Sequence, residues 1–175
     1  MPNWCENFVE VTGKTEDISK LNEAIENAEE GAFRAMLHID MSDEEKVANK
    51  LLGEDGEEDW YRFNVENYGT KWDIYEYSHD YLEDIVDEGV SQLNMNFSTA
   101  WSPPVAIFET LAEKLNVRVK LYYVEEGMDF AGIMDTEGTD AYHTDDMSEA
   151  DDIPEDLDNC FDIQYRIEEY MEDCA

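Results

Sequence analysis

Positive charge is what this chain has least of. Eleven Lys and Arg residues stand against 46 Asp and Glu, a formal net charge of −35 over 175 residues. Ordinary nucleic-acid recognition needs a basic surface, so direct nucleic-acid binding is excluded. An anionic membrane is an equally poor partner. Cysteine is scarce too: Cys5, Cys160 and Cys174 are far apart and odd in number. With no CxxC pair, they spell neither a disulfide framework nor a zinc ribbon. No apolar run approaches the ~20 residues of a membrane-spanning helix, and no secretory leader is legible. These absences predict a reducing cytoplasm.

Signatures of chemistry are also missing. The chain has no P-loop, no GxGxxG and no HExxH. His38, His79 and His143 are scattered, without metal-ligand spacing, and suit surface or capping roles better than ligation. Asp135–Asp152 is rich in oxygen ligands but lacks the ordered ligands of an EF-hand. Carboxylates are so abundant that no pair stands out as an acid/base couple. Pro2 would be an N-terminal amine if Met1 were removed, but no basic partner for an anionic substrate lies near it. It reads better as the leader of a strand that tucks Trp4 into the core. The chain is expected to be no enzyme and to need no cofactor or metal.

What is present is enough to build a core. Apolar residues make up 42% and aromatics 12%, which argues against disorder despite the charge. The most regular stretch is Phe97–Tyr123. Leu93, Met95 and Phe97 alternate with Asn94, Asn96 and Ser98, as in a half-buried strand. Ser102 can cap a helix with Pro103 at its first position, and Ile107, Phe108, Leu111 and Leu115 follow at helical spacing. Val117, Val119, Leu121 and Tyr123 then alternate against Arg118, Lys120 and Tyr122. The result is a strand–helix–strand unit.

Around it, Asn7–Thr12 reads as a strand, and Thr15 caps a helix carrying Ile18, Leu21, Ile25 and Ala28 that ends at Gly31. Phe33–Ile39 reads as a short strand or an irregular crossing. Ser42–Glu45 is a capping box whose helix turns Val47 and Leu51 inward and closes at Gly53. Trp60–Glu66 alternates like a strand. A tight turn is expected at Gly69, and Ser78 caps a helix with Tyr81, Leu82, Ile85 and Val86 inward, ending at Gly89. Glu126–Gly127 turns a hairpin into a strand at Asp129–Met134, where Gly132 suggests close backbone contact. Phe161, Ile163, Tyr165 and Ile167 alternate again, which predicts one more strand.

Three segments, MPNWCENFVEVTG, NYGTKWD, and FSTAWSPP followed by LYYVEEGMDFAG, resemble the YubB ferredoxin-like family of plasmid, phage and other mobile-element proteins. The resemblance implies an α+β ferredoxin-like sandwich, an antiparallel sheet with helices on one face. It implies a bacterial host cell, whose cytoplasm is the expected location, and no particular reaction. An acidic C-terminal extension is expected beyond it: residues 1–135 form the ferredoxin-like domain and residues 136–175 the extension, partly ordered and packed on the core. The extension holds 15 acidic residues and one basic one, Arg166, whereas residues 1–135 hold 31 and 10.

Charge on this scale gains nothing for ordinary folding, because it repels itself. Carboxylates at i, i+2 on a strand or i, i+4 on a helix lie about 6–7 Å apart. Rows of them can imitate the phosphates that a DNA-binding protein recognises. The leading expectation is therefore a phage or mobile-element protein that blocks a host nucleic-acid-binding protein with a basic groove, such as a nuclease, a CRISPR effector or another defence protein. The candidate partner-binding residues are Glu83, Asp84, Asp87, Glu88, Asp145, Asp146, Glu149, Asp151, Asp152, Glu155, Asp156 and Asp158, with Tyr142 and Tyr170 at the rim. A second reading places a small-ligand or catalytic pocket at Lys71, Trp72, Asp73 and Trp101. There a turn-fixing Lys–Asp pair beside a buried Trp is the plainer account. A third makes the acidity merely solubilising in a structural or regulatory protein.

Overall fold

The computed structural model describes residues 3–52, 60–85, 88–147 and 152–173. Its centre is β1 (Trp4–Lys14), flanked by β3 (Val90–Ala100) and β4 (Arg118–Glu125). Both neighbours run antiparallel to β1, with Val9 opposite Met95 on one side and Leu121 on the other. The strand–helix–strand unit is thus a crossover from β3 to β4 through α5 (Val105–Leu115), with β1 between them. Adding β2 (Tyr77–Leu82), β5 (Phe130–Asp135) and the short β6 (Tyr142–Thr144) gives one six-stranded sheet, order β2-β3-β1-β4-β5-β6. This is the expected ferredoxin-like α+β arrangement.

Period-2 patterning decides the two faces. Val9, Val11, Leu93, Met95, Phe97, Val119 and Leu121 point to one side and are buried. They pack against Ile18, Leu21 and Ile25 of α1 (Thr15–Glu26), Phe33 and Met36 of α2 (Ala32–Leu37), and Ile107, Phe108 and Leu111 of α5. The opposite face carries Phe8, Tyr122, Val124, Ala131 and Ile133. It is covered by Met147 and by Leu157, Phe161 and Ile163 of the C-terminal helices α6 (Glu155–Phe161) and α7 (Ile163–Asp173). That cover stops at β1. On β2 and β3 the same face shows Ser78, Asp80, Asn96 and Ser98 to solvent.

Four elements differ from the sequence reading. Phe33–Ile39 holds helix α2, whose first N–H groups are satisfied from outside by Asp73. Trp60–Tyr68 is helix α4, not a strand. Its inner face is Phe63, Asn64 and Tyr68, while Tyr61 and Val65 are exposed, so the aromatic alternation was not the burial pattern. Tyr77–Leu82 is edge strand β2, not a helix: Tyr77, His79 and Tyr81 face inward alternately, and the Tyr77 hydroxyl donates to Ile25 O at 2.9 Å. The expected last strand at Phe161–Ile167 is two helices meeting at Asp162, which adopts a left-handed φ of 53°. That corner brings Phe161 and Ile163 inward together and so imitates strand alternation.

Smaller departures follow. The Ser42–Glu45 box forms as expected, with Ser42 N–H donating to Glu45 Oε2 at 2.8 Å, in front of helix α3 (Asp43–Leu52). Val47, expected inward, is 60% exposed. The first helix ends at Glu26, and Gly31 instead leads into α2. Ser102 does not cap α5, which starts three residues later; its hydroxyl donates to Gly69 O at 2.8 Å. Gly69 turns at φ 83°, and Gly132 lies against the Tyr123 side chain, where a Cβ would meet the ring oxygen. The expected stop at Gly53, and Pro2, lie outside the described residues.

Candidate partner-binding surface

The acidic extension is built onto the sheet by cations. Burial works against a charge on Lys120. Its Nζ nonetheless binds Asp156 at 3.1 Å and Asp140 at 3.2 Å, and these contacts with Tyr122 hold its pKa above the ordinary value. Arg118, one pleat along β4, reaches Asp135 at 3.0 Å and Glu137 at 3.3 Å. Arg166 of α7 reaches back to Glu126 at 2.7 Å and to Glu6 of β1 at 3.2 Å. Burial alone would raise Asp135, but bonds from Arg118, the Glu137 N–H and Thr139 hold it down to about 2.

The twelve candidate carboxylates divide into separate groups. Glu83, Asp84 and Glu88 sit in the turn between β2 and β3, at one edge of the sheet. Asp84 is engaged there, accepting from Gly89 N–H at 2.8 Å. Asp145, Asp146, Asp152, Glu155, Asp156 and Asp158 belong to the other edge and to α6. The first group lies at the β2–β3 turn and the second over β4 and at β6, with β1 between β3 and β4, and among the described residues one continuous row does not form. Asp145 pairs with His143 Nε2 at 2.9 Å, and His143 Nδ1 lies 3.1 Å from the Tyr123 hydroxyl. Asp158 accepts from Gln164 N–H. Asp152, Glu155 and Asp156 are exposed. Asp87, Glu149 and Asp151 lie outside the described residues, as does the side chain of Tyr170. Tyr142 is half-buried against the second core and is not a free rim group.

The alternative pocket also separates into parts. Asp73 turns inward and accepts from the N–H groups of Phe33, Arg34 and Ile74 at 2.8, 2.9 and 2.7 Å. Burial pushes its pKa up to about 6, although those three N–H groups and Arg34 pull the other way. Its carboxylate is the cap of α2, set against Gly31, not half of a Lys–Asp pair. Lys71 Nζ lies instead 4.5 Å above the Trp72 ring. That ring meets Trp4, with centroids 6.5 Å apart. Trp4, expected in the core, is 53% exposed. Cys5 is buried, and burial pushes its thiol up to about 12, which favours the neutral form. Among the described residues no group of three or more His, Cys, Asp and Glu side chains could hold a metal ion, and no helix is long and apolar enough to cross a membrane.

A family model described as the ferredoxin-like domain in Api92-like protein matches residues 71–168, more than half of the chain. This chain belongs to that family. The match takes in β2 to β6, α5, α6 and the start of α7, so it includes the clamped acidic helices. Among solved structures, a protein Api92 from Yersinia pseudotuberculosis is similar, with 9% identity, a TM-score of 0.48, and coverage of 82% of this chain and 98% of that one. Curated proteins give no match.

Proposed function

We propose that the protein is an acidic inhibitor from a phage or other mobile element. It binds a host nucleic-acid-binding protein by presenting carboxylates in place of phosphates, and it carries out no catalysis of its own. The YubB-like segments support the mobile-element origin. The observation that carries the reading is the clamping of α6 and its flanks by Lys120, Arg118 and Arg166. A tail that only keeps a protein soluble needs no fixed shape. This one uses scarce cations and a second apolar core to hold its helices on the sheet, with Asp152 and Glu155 exposed on their outer side. A partner with a basic groove would meet that face with the same long-range attraction it has for DNA.

The test is capture of a partner from bacterial lysate by the intact protein and by a variant carrying Asp145→Asn, Asp152→Asn and Glu155→Gln. These positions leave the Lys120 and Gln164 contacts alone. The reading expects a nucleic-acid-binding protein on the intact chain and its loss from the variant. Equal capture by both would count against it.

A further inference from the structure

Four large aromatic side chains stand out of the surface at one end of the sheet. Trp4 is 53% exposed, Trp72 38%, Trp101 43% and Tyr75 71%. The Trp4 and Trp72 rings are tilted by 44° and nearly touch. The Trp101 backbone lies next to the start of β1, its N–H donating to Asn3 O at 3.0 Å. Aromatic groups this large are seldom left in water without a use.

Trp101 is held there against its own preference. Its φ is 74°, a left-handed conformation that a bulky residue avoids. The turn is overdetermined by its neighbours. Thr99 Oγ1 donates to Ser102 O at 2.8 Å, Thr70 Oγ1 to Ala100 O at 2.9 Å, and Ser102 Oγ to Gly69 O at 2.8 Å. Gly or Asn would satisfy such a turn without strain. Strain that is retained where the indole is exposed points to a use for the indole.

The surroundings say what that use is. Trp4 is a wall of two grooves. One, of about 930 Å³, is also lined by Tyr75 and the exposed Glu76; the other, of about 250 Å³, is lined by Glu6 and Glu126, which already hold Arg166, and by Glu125, which accepts from the Gly127 and Met128 N–H groups. An indole face carries negative electrostatic potential, so an indole beside Glu76 on a chain of net charge −35 favours a cation. One such position is already taken by the chain's own Lys71 above Trp72.

We propose that Trp4, Trp72 and Trp101 form a ridge that receives arginine side chains of a basic partner protein. This rests on the acidic-inhibitor reading for the partner's charge and places the specific part of the contact away from the α6 carboxylates. Guanidinium groups stack flat on the indoles while Glu76, which lines the same groove as Trp4, meets their N–H edges. Arginine fits better than lysine, because its group is planar and less strongly hydrated. Phosphates dominate affinity in a DNA complex without specifying it. Here the carboxylates attract and the ridge selects.

The test uses the full-length chain and two equal-length peptides, oligo-arginine and oligo-lysine, titrated by calorimetry at about 0.5 M NaCl, where long-range attraction is largely screened. The ridge predicts an arginine preference of about three- to thirtyfold. Trp4→Leu with Trp72→Leu and Trp101→Leu keeps apolar bulk but removes the three π faces. That variant is expected to stay folded by circular dichroism and to bind both peptides alike. Lys71→Met vacates the ring and is expected to tighten arginine binding. Equal affinities in the wild type, or a preference that survives the Leu variant, would overturn the ridge. The Asp145→Asn, Asp152→Asn, Glu155→Gln variant separates the two readings. If only the inhibitor reading fails, the captured partner ignores those carboxylates while the arginine preference remains.

Discussion

Lys120 of β4 and Asp156 of α6 meet at 3.1 Å across the interface between sheet and acidic extension. The lysine is nearly enclosed, with 12% of its side chain exposed, and a second carboxylate, Asp140, shares it. Removing the cation leaves those carboxylates facing each other without a counter-charge. Lys120→Met is therefore expected to cost about 1–3 kcal/mol and to loosen α6 and α7 first. Hydrogen exchange should show faster exchange in α6 and α7, with β1 and β3 unchanged. Uniform exchange in both proteins would mean that the apolar contacts of Leu157 and Phe161 suffice.

The capping of α2 by Asp73 gives a second prediction. Three backbone N–H groups depend on one carboxylate. Asp73→Ala is expected to destabilise the chain by about 2–4 kcal/mol, read as a lower urea midpoint. Gly31→Ala should act on the same contact, because its Cβ would lie 2.3 Å from the Asp73 carboxyl carbon at a φ of 104°. The two changes should be strongly non-additive, since each breaks the same cap.

The pH dependence has two opposed parts. Asp73 is raised to about 6 by burial, so its contribution is fully present below about pH 4 and is lost as pH rises through about 6. Asp135 is held down to about 2, so its contribution is present above about pH 4 and is lost as pH falls through about 2. Denaturation between pH 2 and 7 should therefore show the acid-side loss shrink in Arg118→Met and the loss toward neutrality vanish in Asp73→Asn.

Strain at Trp101 can be measured by substitution. Trp101→Gly and Trp101→Ala both remove the indole, but only glycine accepts φ 74° freely. The glycine variant should be more stable than the alanine variant by about 1 kcal/mol. Equal stabilities would place the turn outside the left-handed region in solution.

Much of the fold was legible because burial on one face leaves a plain alternation. It located β1, β3, β4 and β5, and helical spacing located α1 and α5. It failed where the cause of an element lay elsewhere in the chain. Helix α2 depends on a cap 36 or more residues later in sequence, at Asp73. Phe161 and Ile163 alternate because Asp162 turns a corner, which no local period reveals. The candidate surface was legible as charge but not as shape. Nothing in composition indicated which carboxylates the few cations would take. The exposed Trp4 was missed because an aromatic at a strand start is more often core. The W–S–P–P sequence after β3 is the one local signal of the unusual corner, and its Ser-Pro pattern is also that of a helix start.

The central claim is that carboxylates stand where phosphates would. The most direct measurement is a competition in solution between this protein and double-stranded DNA for the captured partner, followed by light scattering. The account predicts mutual exclusion, with DNA and the acidic protein displacing each other and no species holding both. A stable ternary complex of partner, DNA and this protein would contradict it.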